Sequence, residues 1–190
     1  MEERRLKLTI DSDGVLEKAE LGGIPSAASI GGVRNIGEGE FLDPIALADL
    51  TLPDGITAIG EEAFARCDWL EKVHLPAGVT SIGDRAFLDC YALTEVIMPD
   101  SVSHIGADAF AECNQLENLV LSQGLTHLGD RAFAWCETLA EVHIPVGVTQ
   151  IGEKAFYCCS SLARVSLANA ETNIAEDAFT GCSPDLVIEV

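Results

Sequence analysis

Over most of this chain, apolar residues recur with the period of neither a helix nor a strand, but in fixed columns 23 positions apart. Residues 53–75, 76–98, 99–121, 122–144 and 145–167 carry the same pattern with no insertion between copies. One column holds Phe64, Phe87, Phe110, Phe133, Phe156 and Phe179. Three residues after each comes Cys67, Cys90, Cys113, Cys136, Cys159 or Cys182. Leu70, Leu93, Leu116, Leu139 and Leu162 follow, then Val73, Val96, Leu119, Val142, Val165 and Ile188. Ile59, Ile82, Ile105, Leu128, Ile151 and Ile174 complete the set. A fixed period in the twenties predicts a solenoid in which each repeat is one coil and touches only its neighbours. One coil cannot bury these groups alone, so stacking forms the core.

Within a coil, the alternation around Val73, His74 and Leu75 predicts a short strand with Val73 and Leu75 inward and His74 outward, stopped by Pro76. The Gly of each Ile-Gly pair precedes an acidic residue and Ala-Phe, a pattern predicting a tight turn into one short helical turn. Glu61, Asp84, Asp130, Glu153 and Glu176 would stand near its N-terminus. The column Glu62, Arg85, Asp108, Arg131, Lys154 and Asp177 alternates largely in sign, which predicts ion pairs between coils of about 0 to 1 kcal/mol each.

The two ends are irregular. Residues 1–29 are read as a capping hairpin and a loose connection: Leu6, Leu8 and Ile10 alternate as a strand, Asp11 to Gly14 turns, and residues 15–21 return. Residues 30–190 are read as the solenoid. It begins with a degenerate coil, 30–52, which keeps Val33, Ile36, Gly37, Phe41, Leu47 and Leu50 in register but has Pro44 in place of Cys. In the last coil Glu171 replaces a core Val and Ala175 replaces the Gly. The strand at 186–190 would leave an open edge, on which a weak homodimer could form.

Composition narrows the function. Acidic residues outnumber basic ones 31 to 11, for a net charge of −20. Such a surface repels phosphate backbones and argues against nucleic-acid binding. The apolar runs are too short to span a bilayer, and the first ten residues lack the apolar stretch of a signal peptide. Six of the seven cysteines occupy a core column, where they read as reduced, buried thiols filling space. Neighbour disulfides and a metal site are the alternatives, although parallel side chains are poorly set for the disulfide torsion and CxxC spacing is absent.

The stretch PAGVTSIGDRAFLDCYALTEVIMP, from Pro76 to Pro99, is similar to the leucine-rich repeat of bacterial surface antigen A type, also called Treponema pallidum type. The likeness covers about residues 30–190. It implies an α/β fold: a curved right-handed solenoid, here of about seven coils, with short parallel strands on the concave side and short helical turns opposite. Members are commonly bacterial surface proteins that bind other proteins, without enzymatic activity. Cell-surface or secreted location follows from the resemblance, while the lack of a visible export signal leaves a cytoplasmic protein or a fragment open.

No P-loop, dinucleotide-type glycine pattern, HExxH or GxSxG is present, so no catalytic, cofactor or metal residues are assigned. The strand column facing outward on the concave side is Thr51, His74, Ile97, Val120, His143, Ser166 and Glu189. Ile97 and Val120 are apolar where the repeat permits any residue, and Lys72, Glu95, Asn118, Glu141 and Arg164 flank the column. These residues are the candidate surface for a protein or peptide. The same two apolar residues also simply suit strand geometry. Cys158 falls in an outward column and is read as an accessible thiol, incidental or redox-active. His104 and His127 share a column in adjacent coils, either as exposed polar residues or as two ligands of a metal. Trp69, Tyr91 and Trp135 are read as partial cover for the core. The expectation is therefore a non-enzymatic protein-interaction module, with a structural segment of a longer surface array as the alternative.

Overall fold

The computed structural model describes residues 48–190 apart from 53 and 69, together with the strands Arg5–Ile10, Val15–Gly22, Ala28–Ser29 and Asn35–Ile36. Readings that fall on Val33, Phe41, Pro44, Leu47, Trp69 and the turn at 11–14 lie outside the described residues. The chain winds as a parallel-strand β-solenoid of about six turns, where seven were expected.

Every coil contributes to two parallel sheets. Two-residue strands such as Ser81–Ile82, His104–Ile105 and His127–Leu128 build the short-strand face. Val15–Gly22 joins the start of that sheet beside Asn35–Ile36, and Arg5–Ile10 pairs antiparallel to it. Strands of three or four residues, such as Lys72–His74, Glu95–Ile97 and Glu141–Ile144, build the long-strand face. In each of these the middle Val is buried and its two neighbours point outward, as period-two alternation requires.

The apolar columns meet in the interior. The rings of Phe64, Phe87, Phe110, Phe133, Phe156 and Phe179 form one continuous parallel stack, with centroids 4.9 to 5.5 Å apart. That spacing matches the distance between paired strands, so coil pitch and ring stacking satisfy one another. The cysteines, except half-buried Cys158 and Cys182, are buried. They are more than fillers: the thiols of Cys90, Cys113, Cys136, Cys159 and Cys182 each donate to the Phe carbonyl of the preceding coil, at 3.1 to 3.3 Å. Phe87 C=O, for example, accepts from Cys113 Sγ as well as from the Cys90 amide. Burial pushes the Cys67 thiol up to about 12 and raises those of Cys90, Cys113 and Cys136 as well, which keeps these four protonated.

The expected α/β class with helical turns is corrected. Among the described residues there are strands and turns but no helix. In a helix every amide bonds within its own segment. Here alternate amides leave the coil: those of Glu62, Phe64 and Arg66 donate to the carbonyls of Asp84, Ala86 and Leu88 in the next coil, at 2.7 to 3.0 Å. Only the intervening amides of Ala63, Ala65 and Cys67 bond three residues back within the coil. Two residues per coil accordingly take left-handed backbone, among them Glu62, Arg66, Arg85, Asp89, Arg131 and Trp135, with φ between 54° and 64°. Each costs on the order of 1 to 2 kcal/mol in isolation, and the ladder between coils holds them there.

The acidic residues assigned to helix N-termini bind between coils too. Asp84 Oδ1 accepts from Ala107 N–H at 2.8 Å, and Asp130 Oδ1 from Glu153 N–H at 2.9 Å. Coil approach is closest at the glycines: a Cβ on Gly129 would stand 2.5 Å from the backbone of Gly106. The ion-pair column forms in pairs, Arg85 with Glu62 at 2.9 Å and Arg131 bidentate on Asp108 at 2.7 Å, with Arg85 also bound to Glu61.

Candidate functional site

The long-strand face carries the candidate residues, and register places them side by side. Lys72, Glu95 and Asn118 align across three strands, as do His74, Ile97 and Val120. Glu141 aligns with Arg164, and His143 with Ser166. Ile97 is 53% exposed and Val120 45%, so two β-branched side chains stand next to each other in solvent. Apolar groups in that position are not consumed by the core.

Polar side chains knit the face into two groups. In the first, Glu95 accepts from Asn118 Nδ2 at 2.8 Å and lies 3.5 Å from Lys72 Nζ, while His74 Nε2 is 3.0 Å from Asp49. The Asn118 hydrogen bond, then Lys72, hold the Glu95 carboxyl below its ordinary range. In the second, Arg164 Nη1 bonds Glu141 at 3.3 Å and His143 Nδ1 lies 2.7 Å from Ser166 Oγ. Asn118 thus reaches back to an earlier coil and Glu141 forward to a later one.

Between those groups the strand ladder is interrupted. Asp49–Thr51, Lys72–His74, Glu95–Ile97 and Asn118–Val120 pair in sequence, three residues at each step. Glu141–Ile144, Arg164–Leu167 and Val187–Glu189 form a separate sheet, and no pairing joins Asn118–Val120 to Glu141–Ile144. A hollow of about 280 Å³ occupies the gap, lined by Asn118, Leu119, Val120, Glu141, Val142, His143, Arg164 and Ser166. Five of the nine predicted surface residues therefore border one seam, which sequence columns did not foretell. Its one sequence correlate is Ser122, which stands where the other regular coils have Pro.

The remaining candidates are dispersed. His104 and His127 stack face to face, with centroids 4.4 Å apart and an interplanar angle of 3°. Parallel rings direct their nitrogen lone pairs along parallel planes that do not converge, so the pair is not arranged to share a metal. Burial, and then His127, lower the affinity of His104 for a proton. Cys158 is half-buried, less open than its column suggested: a Cβ on Gly181 would come within 2.8 Å of its sulfur. Trp135 and Tyr91 are exposed, and Trp135 packs edge-on against Tyr157 at 5.6 Å. No group of three or more His, Cys, Asp or Glu able to hold a metal occurs among the described residues. No helix long and apolar enough to cross a membrane occurs among the described residues.

Comparison with known proteins bears on this geometry. A family model described as BspA type leucine rich repeat region matches in six copies, over residues 34–136 and 103–186. The crystal structure of a Treponema pallidum leucine-rich-repeat protein is similar, at 28% identity and TM-score 0.74, over 85% of this chain and 82% of that one. A leucine-rich cell surface protein from Faecalibacterium prausnitzii shows 25% identity and TM-score 0.68, covering 90% of this chain and 55% of its own. A leucine-rich-repeat protein from Bacteroides ovatus shows 26% identity and TM-score 0.72, covering 88% and 46%. The chain thus spans about half the length of the latter two. No curated protein matches in sequence.

Proposed function

The chain belongs to the BspA-type leucine-rich-repeat family, and from that premise we propose that it is a non-enzymatic protein-interaction module that binds a protein or peptide on its long-strand face, the side the family likeness makes concave. The observation that carries this reading is the exposed Ile97 and Val120 pair, in register and bordered by Lys72, His74, Glu95, Asn118, Glu141, His143 and Arg164. Such a small apolar centre with a polar rim suits recognition and offers nothing to a covalent step. The test immobilises wild type and the Ile97→Glu, Val120→Glu variant and compares what each captures from host matrix proteins and bacterial lysate. A protein held by wild type and lost by the folded variant is the expected result; equal capture by both overturns the reading. The surface location follows the Faecalibacterium relative and is part of the same proposal.

A second reading, a structural segment of a longer surface array with no ligand of its own, is favoured by the last strand. Val187 and Ile188 of Val187–Glu189 are exposed, although Ile188 belongs to a core column. A face of that kind is satisfied by a further coil or by a weak homodimer. Light scattering over a concentration series separates the two readings, since a sticky edge predicts concentration-dependent dimers and a strict monomer counts against it.

A further inference from the structure

We propose that the seam between Asn118–Val120 and Glu141–Ile144 is a socket for one apolar side chain of an extended peptide with basic flanks. This rests on the long-strand face being the binding face and specifies where on it, and by what chemistry, the peptide is held.

Three features of the seam define the occupant. First, its lips carry main-chain groups that the interrupted ladder leaves unpaired. Asn118 N–H donates to Thr94 C=O and Val120 C=O accepts from Met98 N–H, so the groups of 118 and 120 face the preceding coil. The alternate residue, Leu119, then presents its N–H and C=O to the seam. By the same column geometry Glu141 and His143 present theirs from the other side. Donors and acceptors set in this way give the lips of the seam polar groups that can bond single main-chain groups of a peptide lying across it.

Second, the floor is apolar. Leu119, at 9% the most exposed of the buried members of its column, and Val142 line it together with Val120. A hollow of about 280 Å³ falls just below the range of sites that enclose a whole small molecule, roughly 300 to 1,000 Å³. It matches a single large side chain. The seam does not admit an entire strand, because the coils remain bonded on their other sides: Phe110 and Phe133 stack at 5.2 Å, and His104–Ile105 pairs with His127–Leu128.

Third, charge selects the flanks. Glu141 lines the hollow, and Glu117, exposed one residue before Asn118–Val120, has no ion-pair partner among the described residues. Arg164 already lies against Glu141. Within a chain of net charge −20, the mouth favours Lys or Arg beside the anchor and disfavours Asp or Glu.

The probes are fluorescein-labelled nonapeptides of alternating Lys and Thr whose central residue is Leu, Phe, Gly or Asp, titrated by fluorescence anisotropy. Against wild type, central Leu or Phe should bind at least about tenfold more tightly than Gly or Asp. His143→Trp, which fills the mouth, should lose at least about tenfold for the Leu peptide, while Gln150→Ala, on the exposed short-strand face, should change little. Equal affinity for all four centres, or no binding by any, overturns the proposal on the wild-type protein alone. If the Leu peptide binds and is lost with Ile97→Glu, Val120→Glu but kept by a folded His143→Trp, the face is a binding face and the socket is wrong. If neither variant weakens it, both readings fail.

Discussion

At the step from residues 99–121 to 122–144, one side of the coil is closed and the other is open. On the turn side the amides of Asp108, Phe110 and Glu112 bond to the carbonyls of Asp130, Ala132 and Ala134, and Phe110 stacks on Phe133. On the long-strand side, the same two coils share no strand pairing. The stack therefore does not depend on every ladder being complete. Ring contact, close glycine backbones and thiol-to-carbonyl bonds hold the coils in step, which frees the long strands to vary in pairing and in side chain.

That contrast can be broken from the closed side first. Phe110→Ala should cost about 3 to 5 kcal/mol in urea unfolding, because it opens a cavity in the middle of the ring stack. Val120→Ala, on the open side of the same step, should stay within about 0.5 kcal/mol. Equal costs would mean that the two sides share the load. Gly129→Ala comes next, at about 1 to 3 kcal/mol, since its Cβ meets the Gly106 backbone at 2.5 Å.

Hydrogen exchange sharpens the contrast without mutation. The Leu119 amide faces the seam while Val96, its counterpart one coil earlier, lies in a complete pairing. A missing bond of about 1 kcal/mol predicts roughly fivefold faster exchange at Leu119. The smallest effect lies on the short-strand face. Folding lowers the proton affinity of His104 below its ordinary value of 6.5, so the unfolded chain binds more protons as pH falls through that value. Stability should therefore decrease from pH 7 to pH 5, and the slope should flatten in His104→Asn, as followed by thermal unfolding.

How much of this was legible in the sequence differs by column. Phe64 to Phe179 and Cys67 to Cys182 announced a stacked core, because burial constrains residue type at every repeat. The left-handed positions were not announced: Glu62, Arg66, Arg85 and Trp135 are not residues that signal positive φ, and Gly appears in that column only at 181. Asp84 and Asp130, each after a Gly, do bind backbone amides but not at a helix end, since a sequence does not say whether the amide lies in its own coil or the next. Alternation turns residues such as Asn118 and His143 outward on their strands, as the structure has them, yet the seam between them was invisible, because strand separation depends on relations between coils that Ser122 alone barely hints at.

The thiol column makes the molecule its own gauge of opening. An alkylating reagent attacks thiolate, and a thiol that burial holds protonated, with its hydrogen on a carbonyl, is silent until its coil separates. Half-buried Cys158 and Cys182 would be labelled first and Cys113 and Cys136 last. The order in which mass is added would map, coil by coil, the route by which the stack frays.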